Sequence, residues 1–443
     1  SYSPEETPTY DIPYSDSELN EVQFVRRFDT LILTHRNHEP LLIQRTTLLP
    51  KFEIKEIEFL YPPLLDKNIL DKKIQCDQTT GTGATLTASD DTIFKSGHAG
   101  SIWAIDFIRD GENARQERTF TTNAGTQNYD AVNCSFANFS ITTKGFWYGK
   151  VVVQIDEKAS ENDDSNFVDF VVVGNTAEGA ERNVTFSTST ALRGNTRIRV
   201  QTQNLTETGA APNDGGFTLI IEDLFFKGLV KLGTINGDST QFTDCTIISP
   251  LQDANTDTIH WSEAAFSNYR KFPVSAEFYQ NRLFFTGNTD EPSTIFGSVF
   301  NEIFSFLTGE TSDLGIRRIV DTPEEGKYLL GKKNLFMGTT GNVVSVNSVD
   351  NDALISAKNI NTQIENSYGS ANVQPVIAND VIVYTQSNGL KLRELVYNQD
   401  ANVFIGNDLN IMSEDITESG IVQMFVQKDP YQLIWCIKAN GDA

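Results

Sequence analysis

The chain is poor in the residues that most often carry chemistry: its 443 positions include 4 histidines and 4 cysteines. Cys76, Cys134, Cys245 and Cys436 lie far apart with no Cys-x-x-Cys pair. That excludes a zinc-ribbon or thiol-redox signature and predicts free, buried thiols. No phosphate-cradling GxxxxGK and no strand-led GxGxxG occurs, and the glycine-rich TTGTGATLT has no lysine. Apolar runs fall well short of the roughly 18 residues that a membrane span needs, so no span is expected. The opening SYSPEETPTYDIPYSDSE lacks the basic and apolar regions of a signal peptide. A start without methionine, and a strand-and-turn pattern running to Asn440-Gly441-Asp442-Ala443, read as a trimmed chain.

The histidines offer no recognised catalytic setting. His35 and His38, in THRNHEP, are three apart in a turn instead of on a helix face and have no companion ligand motif. His98 in SGHAGS and His260 in TIHWSEAAFS lie outside any nucleophile elbow or triad pattern. All four are read as hydrogen-bonded structural residues. Acidic residues are so numerous that a glycosidase-like carboxylate pair signals nothing. No catalytic, cofactor-binding or metal-binding residue is assigned, and the expectation is a protein that is not an enzyme and needs no cofactor.

Basic residues are also scarce: 35 Lys and Arg against 59 Asp and Glu give a net charge of -24. A surface that grips nucleic acid needs clustered cations, so tight phosphate binding is excluded. An acidic wall does the opposite and lets a polyanion pass without sticking. Solubility alone also explains such a charge.

What the chain has in quantity is phenylalanine, 29 residues against 3 methionines, in a sequence well supplied with valine, isoleucine and threonine. These residues suit strands. The expected fold is all-β: a β-propeller-like platform carrying an inserted β-sandwich. One hairpin pattern recurs in the C-terminal part: NRLFFTG with STIFGS, NLFMGTT with NVVSV, DVIVYTQ with LKLRELVY, and YQLIWCIKANGDA, whose partner strand is missing. Their starts at Asn281, Asn334, Asp380 and Tyr431 are 53, 46 and 51 residues apart. Such spacing fits propeller blades. FDTLILTHRNHEPLLIQR, residues 28–45, adds a further copy near the front.

The platform is therefore expected from residues 1–93 and, truncated, from 241–443, with a sandwich over 94–240 carrying strands such as WYGKVVVQI and NTRIRVQTQ. Its acidic turn DEKASENDDSN, residues 156–166, lacks calcium-loop spacing and reads as a solvated hairpin tip. Asn-x-Ser/Thr triplets at Asn133, Asn138, Asn183 and Asn204 would accept glycans only in a secreted eukaryotic protein. The segment ALISAKNINTQIEN, residues 353–366, has approximate helical spacing and reads equally as a helix or an irregular arm.

The order of several phrases resembles the tail nozzle proteins of short-tailed bacteriophages, also called tail tubular protein B. They are TPTYDIPYSDSELNEVQFVRRFDTLILTHRNHEPLLIQR, HWSEAAFSNYRKFPVSAEFYQNRLFFTGNTDEPSTIFGSVFNEIFSF, LFMGTTGNVVSV, YGSANVQPVIANDVIVYTQSNGLKLRELVYN and VQMFVQKDPYQLIWCIKANGD. The resemblance covers residues 1–60 and 245–443, with Lys271-Phe272-Pro273 where the family has Gly-x-Pro. It implies a structural virion protein made in the bacterial cytoplasm and located in the tail. There it forms a homo-oligomeric ring, usually a hexamer, below the tail adaptor and beside the tail fibre proteins. Double-stranded DNA would pass through it transiently during genome ejection, without tight binding and along an acidic lining.

On this reading the hairpin tip at residues 288–292 supplies assembly contacts through Asn288, Asp290 and Glu291. Tyr368, in the connecting loop 359–373, supplies another. The alternative is a surface module whose sandwich binds a glycan or receptor, with Trp147 and Tyr148, flanked by Trp103 and Phe146, as a stacking platform.

Overall fold

In the computed structural model the described residues are 12–443 apart from 46–51, 109–114, 121–124, 136, 146, 158–163, 176–184, 188–191, 193–194, 208–214, 223–224, 236–239, 310, 351–352 and 401–402. Among them every regular element is a strand or a short 3-10 turn, so the protein is all-β. No helix among them is long and apolar enough to cross a membrane. Asn183, Phe146 and the middle of the 156–166 turn lie outside the described residues. The chain divides into two compact units, one of Ser1–Pro63 with Ala265–Ala443 and one of Leu64–Ala264.

Unit 1 is a series of antiparallel meanders. The first sheet comprises Gln23–Arg27, Thr30–His35, His38–Arg45 and Phe52–Glu56. The second comprises Ser275–Tyr279, Arg282–Thr286, Thr294–Gly297 and Ile316–Ile319. The third comprises Gly326–Gly331, Leu335–Thr339, Val343–Asn347 and Asn361–Asn366. The fourth comprises Val376–Ala378, Val381–Thr385, Leu392–Asn398 and Val403–Asp408. A pair, Ile421–Gln427 and Leu433–Lys438, follows.

Each hairpin legible in the sequence is the central pair of its sheet. Central strands such as Arg282–Thr286 and Leu335–Thr339 are buried along their whole length. They therefore read as unbroken apolar runs, whereas the outer strand Ile316–Ile319, IRRI, does not.

Two expectations are corrected here. Leu433–Lys438 does have a partner, but it is the preceding strand Ile421–Gln427. Residues 353–366 form no helix: Asn361–Asn366 is the outer strand of the third sheet, paired with Val343–Asn347. Ile355 and Ile360 in that segment are buried while Leu354 and Ile364 are exposed, so the four apolar residues never share the single face a packed helix needs.

Tight turns join the strands. Gln280 and Asn281 have φ of 46° and 59°, and Asn379 and Asp380 have 48° and 62°. Two-residue hairpin turns with both φ values positive favour Asn and Asp, which explains why these repeats begin on Asn281 and Asp380. Lys271, where the resembled family has glycine, has φ 66°, a conformation glycine adopts without steric cost.

Successive sheets pack on one another: Gln23–Arg27 lies against Ser275–Tyr279, that strand against Gly326–Gly331, and Val376–Ala378 against Ile421–Gln427. Gln23 Nε2 donates to the Lys327 carbonyl at 2.6 Å and to Asn372 Oδ1 at 2.7 Å. The Gln374 amide accepts from the Phe24 N–H at 3.3 Å and donates to the Phe24 carbonyl at 2.7 Å, so one side chain substitutes for a strand neighbour. Phe285 stacks on Phe306 at 5.5 Å and meets Phe266 edge-on at 5.7 Å. Phe284, Phe285 and Phe296 of FYQNRLFFTGNTDEPSTIFGS are thus core, while Phe278 and Tyr279 are partly buried.

Glu277 lies among these packed strands, opposite Phe284, accepting the Phe278 N–H at 3.1 Å. Burial pushes its carboxyl up to about 7, against the opposing effect of amides from Gly331 and Phe278. The native state therefore holds a proton that the unfolded chain releases near pH 4.5. This stability is fully present below that value and is lost as pH rises through 7. Glu277→Gln is expected to raise the stability of unit 1 at pH 8 by about 1–3 kcal/mol and to leave it nearly unchanged at pH 4. Urea unfolding at the two pH values checks this, and an equal effect at both would contradict it.

Unit 2 holds three sheets. Two face each other across one apolar core that includes Phe139, Trp147, Val151, Val153, Val200, Phe217 and Leu219. One of these contains Val132–Ser135, Asn195–Glu207, Trp147–Asp156 and Val168–Asn175, with Gly125–Asn128 beside Asn195–Glu207. The other contains Thr185–Ser187, Asn138–Lys144, Gly216–Glu222 and Arg115–Thr119. The third sheet has six strands in the order Trp261–Ser262, Ile102–Ile108, Phe225–Lys231, Gln241–Ser249, Gly81–Ala88 and Ile74–Cys76. Its own core is built on Phe94, Trp103 and Phe242. This sheet draws in strands on both sides of 94–240, which is why the compact unit begins at Leu64 and ends at Ala264.

Candidate functional site

The hairpin tip at residues 288–292 is tied into its own unit. Asn288 is 0% exposed; its Nδ2 donates to the Ala265 carbonyl at 3.0 Å and its Oδ1 accepts the Glu291 N–H at 3.0 Å. Asp290 pairs with Arg270 and Glu291 with Arg317. The expectation of an assembly contact at Asn288 is therefore corrected, because a buried amide with two internal bonds offers nothing to a neighbour. Asp290 and Glu291 already have internal cationic partners. Tyr368 is exposed, and its ring lies under the Arg393 guanidinium at 3.5 Å.

Trp147 is 0% exposed, edge-on to Phe120 at 5.8 Å in the centre of the two-sheet core. Trp103 is equally buried and stacks on Trp261 at 5.2 Å. Neither presents a face to a sugar ring, so the proposed stacking platform loses both tryptophans and, among the described residues, retains the half-buried Tyr148. The acidic turn is partly consumed by internal pairing. Asp164 contacts Arg197 at 2.5 Å, and the fully buried Asp156 lies 3.5 Å from the same guanidinium.

His98 has the structural role expected of it: Nδ1 accepts the Lys95 N–H at 3.2 Å and Nε2 lies 2.9 Å from the buried Glu263. His35 and His38 are placed differently. They face each other directly across the hairpin of the first sheet, with ring centroids 5.1 Å apart. Glu18, from the turn before that sheet, comes within 3.1 Å of His38 Nε2. The Ser15 amide and hydroxyl hold the Glu18 carboxyl down to about 2, helped by His38. Burial lowers the pKa of His35 and pushes the neighbouring Tyr14 up to about 12. Sequence spacing did not reveal this cluster because residues three apart were weighed as helix neighbours, whereas a two-residue turn sets them side by side.

The feature of unit 1 that asks for a partner is the outer face of the first sheet. Alternation along Gln23–Arg27 buries Gln23 and Val25 and turns Phe24 and Arg26 outward. Phe24, Phe28 and Phe52 are 46%, 94% and 47% exposed. With Leu31, Leu33 and Ile43 they line one groove edged by Arg26, Asp29 and Arg45. Phe28 has φ 53° in the turn between the first two strands, a conformation unfavourable for a bulky residue. The groove is an apolar patch left open to solvent on the first sheet. At the other end of the series, Phe425 and Trp435 stack at 6.1 Å with both rings partly in solvent, and Leu433 is 45% exposed beside them. No family model and no curated protein matches the chain.

Proposed function

We propose that this protein is a structural component of a short phage tail: a ring-shaped nozzle or tail-tube segment through which double-stranded DNA passes during ejection. The observation that carries this reading is the pair of uncovered apolar surfaces at the two ends of a series of like meanders. Within the series one meander packs on the next, as blades of a propeller-like platform do. The first sheet leaves Phe24, Phe28 and Phe52 uncovered, and the last strand pair leaves Phe425 and Trp435. Two unlike faces on one chain form a head-to-tail contact, and such contacts close into rings when the rotation permits.

The ordered phrases shared with tail nozzle proteins support the same reading, as does the net charge of -24, which disfavours retention of DNA. The partners are then other copies of this chain, six to a ring, with tail adaptor and tail fibre proteins as neighbours. Its place is the virion tail and its role requires no chemistry. Burial of Trp147 deprives the glycan-binding alternative of its principal aromatic.

Phe24→Asp with Phe28→Asp is expected to abolish self-association in sedimentation velocity while leaving the urea-unfolding free energy of unit 1 within about 0.5 kcal/mol, as for surface substitutions. Unchanged association would remove the first-sheet face from the interface.

A further inference from the structure

We propose that Glu18, His35 and His38 form a divalent transition-metal site, suited to Zn²⁺, that fastens the segment entering the first sheet onto its hairpin. One ligand atom from each residue lies within 4.8 Å of those of the other two. The measured Glu18 Oε2 to His38 Nε2 separation is 3.1 Å. Two ligands about 2.0–2.2 Å from one tetrahedral zinc stand about 3.3 Å apart, so this edge of the site is already near its bound dimension. Two imidazoles and a carboxylate are an accepted three-residue ligand set for zinc and neighbouring metals.

The second observation is independent of that spacing. Tyr14 Oη is a buried polar atom without a hydrogen-bond partner, and His35 Nε2 and His38 Nε2 beside it face only the carboxylates of Glu21 and Glu18. The Tyr14 ring roofs both imidazoles edge-on, with centroids 5.8 Å from His35 and 5.3 Å from His38. Tyr14 itself is 9% exposed and His35 1%. Buried polar atoms are ordinarily satisfied, and a bound ion is one standard reason for an exception. Glu21 Oε2 lies 3.5 Å from His35 Nε2 and adds negative charge to the site.

One contact must change on binding. The Asn37 N–H donates to His35 Nδ1 at 3.2 Å, which leaves the ring proton of the neutral imidazole on Nε2. A metal on Nε2 moves that proton to Nδ1, so this bond has to open.

The test uses the full chain, stripped with a chelator and titrated with Zn²⁺ alone. The site predicts one equivalent bound by calorimetry, weakened at least about tenfold by Glu18→Gln and by His38→Gln and unaffected by His260→Gln. Zinc X-ray absorption of the wild-type complex is expected to show imidazole scattering from two rings, a readout that stands even if a variant fails to fold. Absence of imidazole scattering, or binding that Glu18→Gln and His38→Gln leave unchanged in folded protein, overturns the proposal.

Discussion

Arg282→Ala is expected to destabilise unit 1 by about 3–5 kcal/mol, the range for breaking a buried charged hydrogen-bond group. Arg282 is 2% exposed, and its guanidinium ties together the carbonyls of two loops. Nη1 donates to the carbonyls of Ser298 at 2.5 Å, Leu314 at 2.7 Å and Asp313 at 3.2 Å, and Nη2 to that of Ser312 at 2.7 Å. Burial pulls the pKa down to about 10, with Asp313 opposing, so the group stays charged at neutral pH. Alanine would leave four carbonyls without this donor. Lysine carries the charge but not the planar fork, so Arg282→Lys should recover only part of the loss. Hydrogen exchange of Ile316–Ile319 and urea unfolding read the effect. A loss below about 1 kcal/mol would mean that water replaces the guanidinium without penalty.

Trp147→Ala is expected to cost about 3–5 kcal/mol in unit 2, as large aromatic truncations in cores do. The side chain is fully buried on a strand whose neighbours Val151, Val152 and Val153 are also 0% exposed. This variant therefore tests the fold, and any loss of polysaccharide binding it caused would be secondary to unfolding. Tyr148→Ala, at a half-buried position, should change stability by about 1 kcal/mol or less. It is the fair probe of a sugar surface. Native stability in Trp147→Ala together with lost glycan binding would restore the receptor-binding reading.

The central hairpins of the second and third sheets were legible because both of their faces are buried, so their apolar runs survive any choice of register. The outer strands were hidden for the converse reason. Asn361–Asn366, NTQIEN, mixes exposed and half-buried positions, and the apolar spacing of residues 353–366 read equally as a helix or an irregular arm. Asn288 was placed at a surface, as Trp147 was under the glycan-binding alternative, because composition gives residue type and local pattern, while burial depends on which distant strand arrives opposite. Lys271 carries the same lesson: a departure from Gly-x-Pro hides a φ of 66° that glycine would have announced. The His35 and His38 pair was visible as a spacing, but only the register of the hairpin gives that spacing its geometry, and Glu18 joins it from a separate turn.

The proposed function depends on where the acidic excess lies. Electron microscopy of the full chain assembled at high concentration tests this most directly. The account predicts a closed ring whose hole admits duplex DNA, with Phe24 and Phe28 of each copy buried against the next and acidic side chains along the lumen. A protein that stays monomeric, or a ring whose lumen is basic, would contradict it.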